Sequence, residues 1–163
     1  VTRVAHSPKT SITPTAAVPE VSEPICDDFA VRISSGAAAN GALEGVPECQ
    51  WVGHLRRISA AKLRVCGLTP LMDDAKLLVS ELVTNALRYG RGAEVEFRLV
   101  ITLQGLLLAV NDGSDRRPRL EVAGSSSETG RGLFLVAALA DDWAVSPDGT
   151  TTWCTLSLAG ASR

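Results

Sequence analysis

Three short stretches of this chain hold residue types that could do chemistry together. In LLVSELVTNALRYG, residues 77–90, Glu81 and Asn85 stand four apart. On a helix that spacing sets them about 40° apart, with Arg88 about 20° to the other side of Glu81. A carboxylate and a carboxamide oxygen are hard ligands, suited to magnesium or to orienting a nucleophile. A merely solvated helix face would hold the same residues.

In AVNDGSDRRP, Asp112 follows an apolar run and precedes Gly113. A carboxylate at the point where a loop leaves a sheet can accept from an exocyclic amine such as that of adenine. An Asp-Gly turn accounts for the same dipeptide. In ETGRGLFLV, Gly130 and Gly132 flank Arg131 just before a predicted helix. Glycines let backbone N–H groups approach a phosphate, and a helix N-terminus adds a positive dipole. Arg131, with Arg116, Arg117 and Arg119 upstream, could add charge-assisted hydrogen bonds. Helix packing also selects Gly-x-Gly, and the missing Gly-Lys-Ser/Thr excludes a P-loop.

The elements that must position these residues follow from pattern. WVGHLRRISAAKLRVCGL reads as a first helix stopped at Gly67. Thr69 is placed to cap a second helix, with Pro70 in its first turn and Asp73 and Asp74 close behind. That helix carries Glu81 and Asn85, turns Leu78, Val79, Leu82, Val83 and Ala86 to the opposite arc, and ends at Gly90, read as a left-handed C-cap. In AEVEFRLVITL the apolar residues alternate with Glu94, Glu96 and Arg98, which predicts a half-buried strand. A turn at Gln104 and Gly105 leads to a buried strand, LLLAV. After a polar, Arg-rich loop come the GRGLFLVAALADDW helix, a short WAVS strand, a PDG turn and a last strand, TTTWCTLSL. This order predicts an α/β (α+β) two-layer sandwich with helices on one face of a mainly antiparallel sheet. Residues 1–24, rich in Ser, Thr, Pro and Ala, read as a flexible tail. Residues 25–49 read as a short strand and loop, and residues 50–163 as the organised domain.

Composition narrows the function classes. The chain of 163 residues has a formal net charge of -2, so it has no general attraction for nucleic acid or acidic membranes. Its apolar runs are too short and interrupted to span a bilayer, and the N-terminus lacks a signal-peptide core. A cytoplasmic location is expected. Cys26, Cys49, Cys66 and Cys154 form no closely spaced pair and no Cys/His cluster, so zinc is not expected and free thiols are the default. His54 and the three tryptophans read as ordinary surface or core residues.

The succession from SELVTNALRYG through strand–Asp–Gly and a polar loop to GRGLFLVAALADDWAV, then Gly149-Thr150-Thr151-Thr152, resembles the ATP-binding domain of gyrase, heat-shock chaperone, histidine kinase and MutL proteins. Over about residues 50–158 it is most similar to their small bacterial branch, the anti-sigma-factor serine kinases. The resemblance implies a Bergerat-type ATP-binding fold, with ATP and magnesium as cofactors. It implies that Asn85 coordinates magnesium on the ATP phosphates and that Glu81 is the catalytic base. Asp112 would bind the adenine amine with support from Thr151. Arg88, Ser114, Gly130, Arg131, Gly132 and Leu133 would complete the nucleotide site. The implied activity is serine/threonine protein kinase, with a sigma factor and a small anti-sigma antagonist as partners. Some relatives dimerise. The alternative is a non-catalytic, ATP-gated protein-binding module. Tyr89 stands where many relatives carry His, and Gly113-Ser114 where the wider superfamily often has Asn-Gly.

Overall fold

A computed structural model describes residues 13–34, 48–90, 94–114 and 128–159, of which 48–49 and 128–131 by their backbone alone. Strand β1 (Ile25–Ser34) precedes helix α1 (Glu48–Val65) and, after a 3-10 turn at Thr69–Leu71, helix α2 (Met72–Tyr89). Strands β2 (Glu94–Thr102) and β3 (Gly105–Asn111) form a hairpin. Helix α3 (Glu128–Leu139) leads to β4 (Asp142–Val145) and β5 (Thr151–Ser157). The sheet order is β1-β2-β3-β5-β4, and every neighbouring pair is antiparallel. The expected two-layer sandwich is what forms.

The alternation in β2 explains one face of the sheet. Val95, Phe97, Leu99 and Ile101 are buried with Leu106, Leu108 and Val110 of β3, under Leu78, Val79, Leu82 and Val83 of α2. Phe29 of β1 meets Phe97 edge-to-face, ring centres 6.2 Å apart. The α2 residues on this face recur at helical spacing, so one stripe of the helix meets the sheet and another stays available.

The opposite face is also covered. Val100, Leu107, Ala109, Ala144 and Trp153 form a second cluster, against which Val18 and Val21 pack. The backbone of Ala16 and Pro14 bonds Val145 at the β4 edge, and the Trp153 indole N–H donates to the Ala16 carbonyl at 2.9 Å. Residues 1–12 of the expected tail lie outside the described residues, and residues 13–24 lie as a strap across the outer face. Their lack of period is physical: a strap bonded at isolated points has no repeating face to bury.

Three local expectations change. Thr69 makes no side-chain cap; α2 is preceded by Leu71 in helical conformation, and the 3-10 turn delivers the chain into the helix without a capping side chain. Gly90 is extended, with φ -61, and so is not a left-handed cap. A Cβ there would collide with the Ala86 carbonyl and lie 2.9 Å from the Asp112 Cβ, so close approach is what requires glycine. Finally, Gly130 and Gly132 fall inside α3, which begins at Glu128, instead of preceding it. No helix among the described residues is long and apolar enough to cross a membrane.

Candidate functional site

The sequence of α2 buries Leu78, Val79, Leu82, Val83 and Ala86 and leaves Glu81 and Asn85 half-buried. These two do not face open solvent. A Cβ added to Gly132 would lie 2.5 Å from Glu81 Oε2 and 3.3 Å from Asn85 Nδ2, so the backbone of α3 rests on both groups. Glycine at 132 leaves room for the Glu81 carboxylate to sit against α3. Among the described residues, neither Glu81 nor Asn85 has a hydrogen-bond or ion-pair partner. Beside them, the first turn of α3 has N–H groups without intrahelical acceptors.

The second corner lies at the end of the same helix. The contact between Gly90 and Asp112 brings the loop after β3 against the C-terminal turn of α2. Asp112 Oδ1 accepts from the Ser114 N–H at 2.9 Å and the Ser114 hydroxyl at 2.8 Å. The Asp112 N–H donates to the Thr150 carbonyl at 3.1 Å, tying the loop to the start of β5. Gly113 holds a positive φ of 66 there, and its N–H donates to Asn111 Oδ1 at 2.8 Å. Burial pushes the Asp112 carboxyl above its ordinary range, against the opposing pull of the two Ser114 bonds. Its other oxygen and its fixed position suit a neutral amine donor.

The structure thus brings Glu81, Asn85 and Gly132 together, and joins Asp112 and Ser114 to the far end of α2. From residue 81 to 90 the helix rises roughly 13 Å. Leu133 is buried in the core, so its side chain serves packing. Arg88 is exposed in the last turn of α2. Arg116, Arg117 and Arg119 lie outside the described residues, as does the side chain of Arg131, while Gly130 lies in the first turn of α3.

Thr151 pairs with Asn111 and lines, with Val18, Arg98 and Ala109, a cavity of about 210 Å³ on the outer face. Strand alternation puts it with Trp153, away from α2. Thr152, in register with Val110, shares the inner face with Cys154 and Leu156 and is the β5 threonine on the Asp112 side. Three consecutive threonines give no parity by themselves; the apolar Cys154 and Leu156 beyond them carry the signal.

Magnesium fits this donor set. Among the described residues no three His, Cys, Asp or Glu are grouped to cage a metal. Magnesium needs no such cage, since it commonly keeps waters and binds through one or two protein oxygens and substrate phosphates. The Asn85 amide oxygen beside Glu81 could serve as that ligand.

A two-layer sandwich with a carboxylate–carboxamide pair under a glycine-opened helix, and a buried aspartate at the sheet corner, defines a nucleotide-binding class. A family model of the histidine kinase-like ATPase domain matches residues 47–156. The chain belongs to that family. No curated protein matches it.

Proposed function

We propose that this chain is an ATP-binding regulator that acts as a serine/threonine protein kinase of the anti-sigma-factor type. The observation that carries the reading is the contact of Gly132 with both Glu81 and Asn85. The adenine amine would donate to Asp112, with Thr152 beside it. The triphosphate would run along α2 toward Asn85 and the N-terminal turn of α3. Bound magnesium would offset charge on the phosphates.

The partner serine hydroxyl would attack the γ-phosphorus, its proton passing to the Glu81 carboxylate, while the bond to the bridging oxygen breaks and ADP leaves. Positioning does most of the work in such a transfer. Sigma factor and a small anti-sigma antagonist are the proposed partners, and the cytoplasm the proposed location. A transfer assay with γ-labelled ATP and a serine-bearing antagonist tests this. Label on the serine, lost in Glu81→Gln, supports the kinase.

The alternative is an ATP-gated binding module, favoured by the way α3 covers the Glu81 carboxylate. ATP-dependent partner capture with no label transfer would select it.

A further inference from the structure

Away from the α2–α3 site, one side-chain cluster brings two sulfurs together from distant parts of the chain. Cys26 sits where the β1–β2 register slips between Ile25 and Asp27, the extra residue of a bulge, and it is exposed. The next residue, Asp27, is clamped by Lys62 Nζ at 2.7 Å, and Lys62 lies 5.0 Å from the Phe29 ring centre. These contacts dock the start of β1 on the last turn of α1. The Cys66 N–H donates to the Lys62 carbonyl at 2.9 Å, so Cys66 stands one turn beyond the clamp. The two thiols thus lie on either side of the Lys62–Asp27 clamp, near enough for Cys26 to push the Cys66 thiol up.

We propose that Cys26 and Cys66 are a redox modification site that closes to an intramolecular disulfide, with a peroxide as oxidant. The exposed Cys26 sulfur attacks a peroxide oxygen, the O–O bond breaks, and Cys26 sulfenic acid forms with release of water. The Cys66 sulfur then attacks the sulfenic sulfur, giving up its proton as a second water leaves. Two thiols and one hydrogen peroxide become one disulfide and two waters. Burial pushes the Cys66 thiol up, as do Cys26 and Asp27 beside it, while the Lys62 ammonium pulls the other way. Cys66 is therefore the second, resolving thiol, and Lys62 is placed to favour its thiolate during the displacement. Cys154 does not compete: it is fully buried, which pushes its thiol up to about 12.

The bridge would staple β1 to α1 and close the loop that contains residues 35–47, restraining the unfolded chain more than the folded one.

The test uses the full chain, reduced and then exposed to hydrogen peroxide, with free thiols alkylated and the linkage mapped by mass spectrometry. A Cys26–Cys66 linked peptide is expected, reversed by dithiothreitol and absent in both Cys26→Ser and Cys66→Ser. The oxidised chain should melt roughly 5–10 °C above the reduced chain, a shift that either serine variant abolishes. Cys26 and Cys66 both remaining alkylatable, or a bridge from either one to Cys49 or to a second chain, would overturn the proposal. Because Cys26 is exposed, Cys26→Ser keeps the test valid even if Cys66→Ser folds poorly.

Discussion

On the helix side of the sheet, Glu81 and Asn85 lie half-buried against Gly132 with no polar partner among the described residues. On the outer side, the charged groups satisfy one another. Arg98 holds both oxygens of Asp28, at 3.0 and 2.7 Å, and Arg32 reaches Glu96 at 3.3 Å. Beneath them, Val18 and Val21 seal Trp153 and its neighbours. Both faces bury apolar surface. The helix side holds a carboxylate and a carboxamide that the packing of the described residues does not use. Half-buried polar groups without partners cost stability, and these two, beside a glycine-opened helix, are the proposed site.

The largest expected effect separates chemistry from folding. Glu81→Gln should reduce phosphoryl transfer by about 10²–10⁴-fold, the usual range for a lost general base, while thermal stability stays near the parent. A parent-like transfer rate would remove Glu81 from its role. On the outer face the balance reverses. Trp153→Ala should cost about 3–5 kcal/mol of stability, read by denaturant unfolding, because it empties the cluster under the strap. Nucleotide affinity in the fraction still folded should be unchanged. A selective loss of affinity without destabilisation would join the two faces functionally.

Two glycines sharpen the contrast. At Gly132 the nearest obstacle to a Cβ is the mobile end of the Glu81 side chain, whereas at Gly105 it is the backbone carbonyl of Leu156. Gly105→Ala should therefore destabilise by about 1–3 kcal/mol, as overpacking does. Gly132→Ala should displace Glu81 and lower transfer with little change in stability. Equal stability losses in the two variants would contradict this division.

Asp112→Asn should weaken nucleotide binding by about 10–100-fold, the worth of a hydrogen bond to a charged group. Stability should not fall at neutral pH. Because burial raises the folded-state pKa of Asp112, ionising it opposes folding above that pKa, and the penalty is relieved as pH falls through it. Affinity for ATP should decline over the same acidic window in the parent chain, as the carboxylate is protonated, and stay flat in Asp112→Asn. The smallest effect belongs to the exposed Arg98–Asp28 pair, where Arg98→Ala should cost about 1 kcal/mol or less.

Much of the helix side was legible in the sequence. Period separates the buried stripe of α2 from Glu81 and Asn85, and alternation marks β2. What escaped depends on contacts between distant segments. β1 was readable as a strand, but its pairing with β2 is set by tertiary docking through Lys62–Asp27 and Phe29–Phe97. Gly90 reads as a helix stop by residue type, yet its reason lies in Asp112, which approaches it only in the folded chain. The strap at residues 13–24 and the docking of Asp27 on Lys62, which carries Cys26 toward Cys66, leave no periodic trace. In the run Thr150-Thr151-Thr152 like residues hide strand parity, which only the pairing of β5 with β3 supplies.

The most direct test of the central claim is calorimetric titration of the chain with ATP and magnesium, beside Asn85→Ala. Magnesium-dependent binding that weakens at least about tenfold in the variant, the scale of one lost charge-assisted contact, is predicted. No binding by the parent chain, or the same magnesium-dependent affinity in both, would contradict the assignment of the polar stripe on α2 to nucleotide.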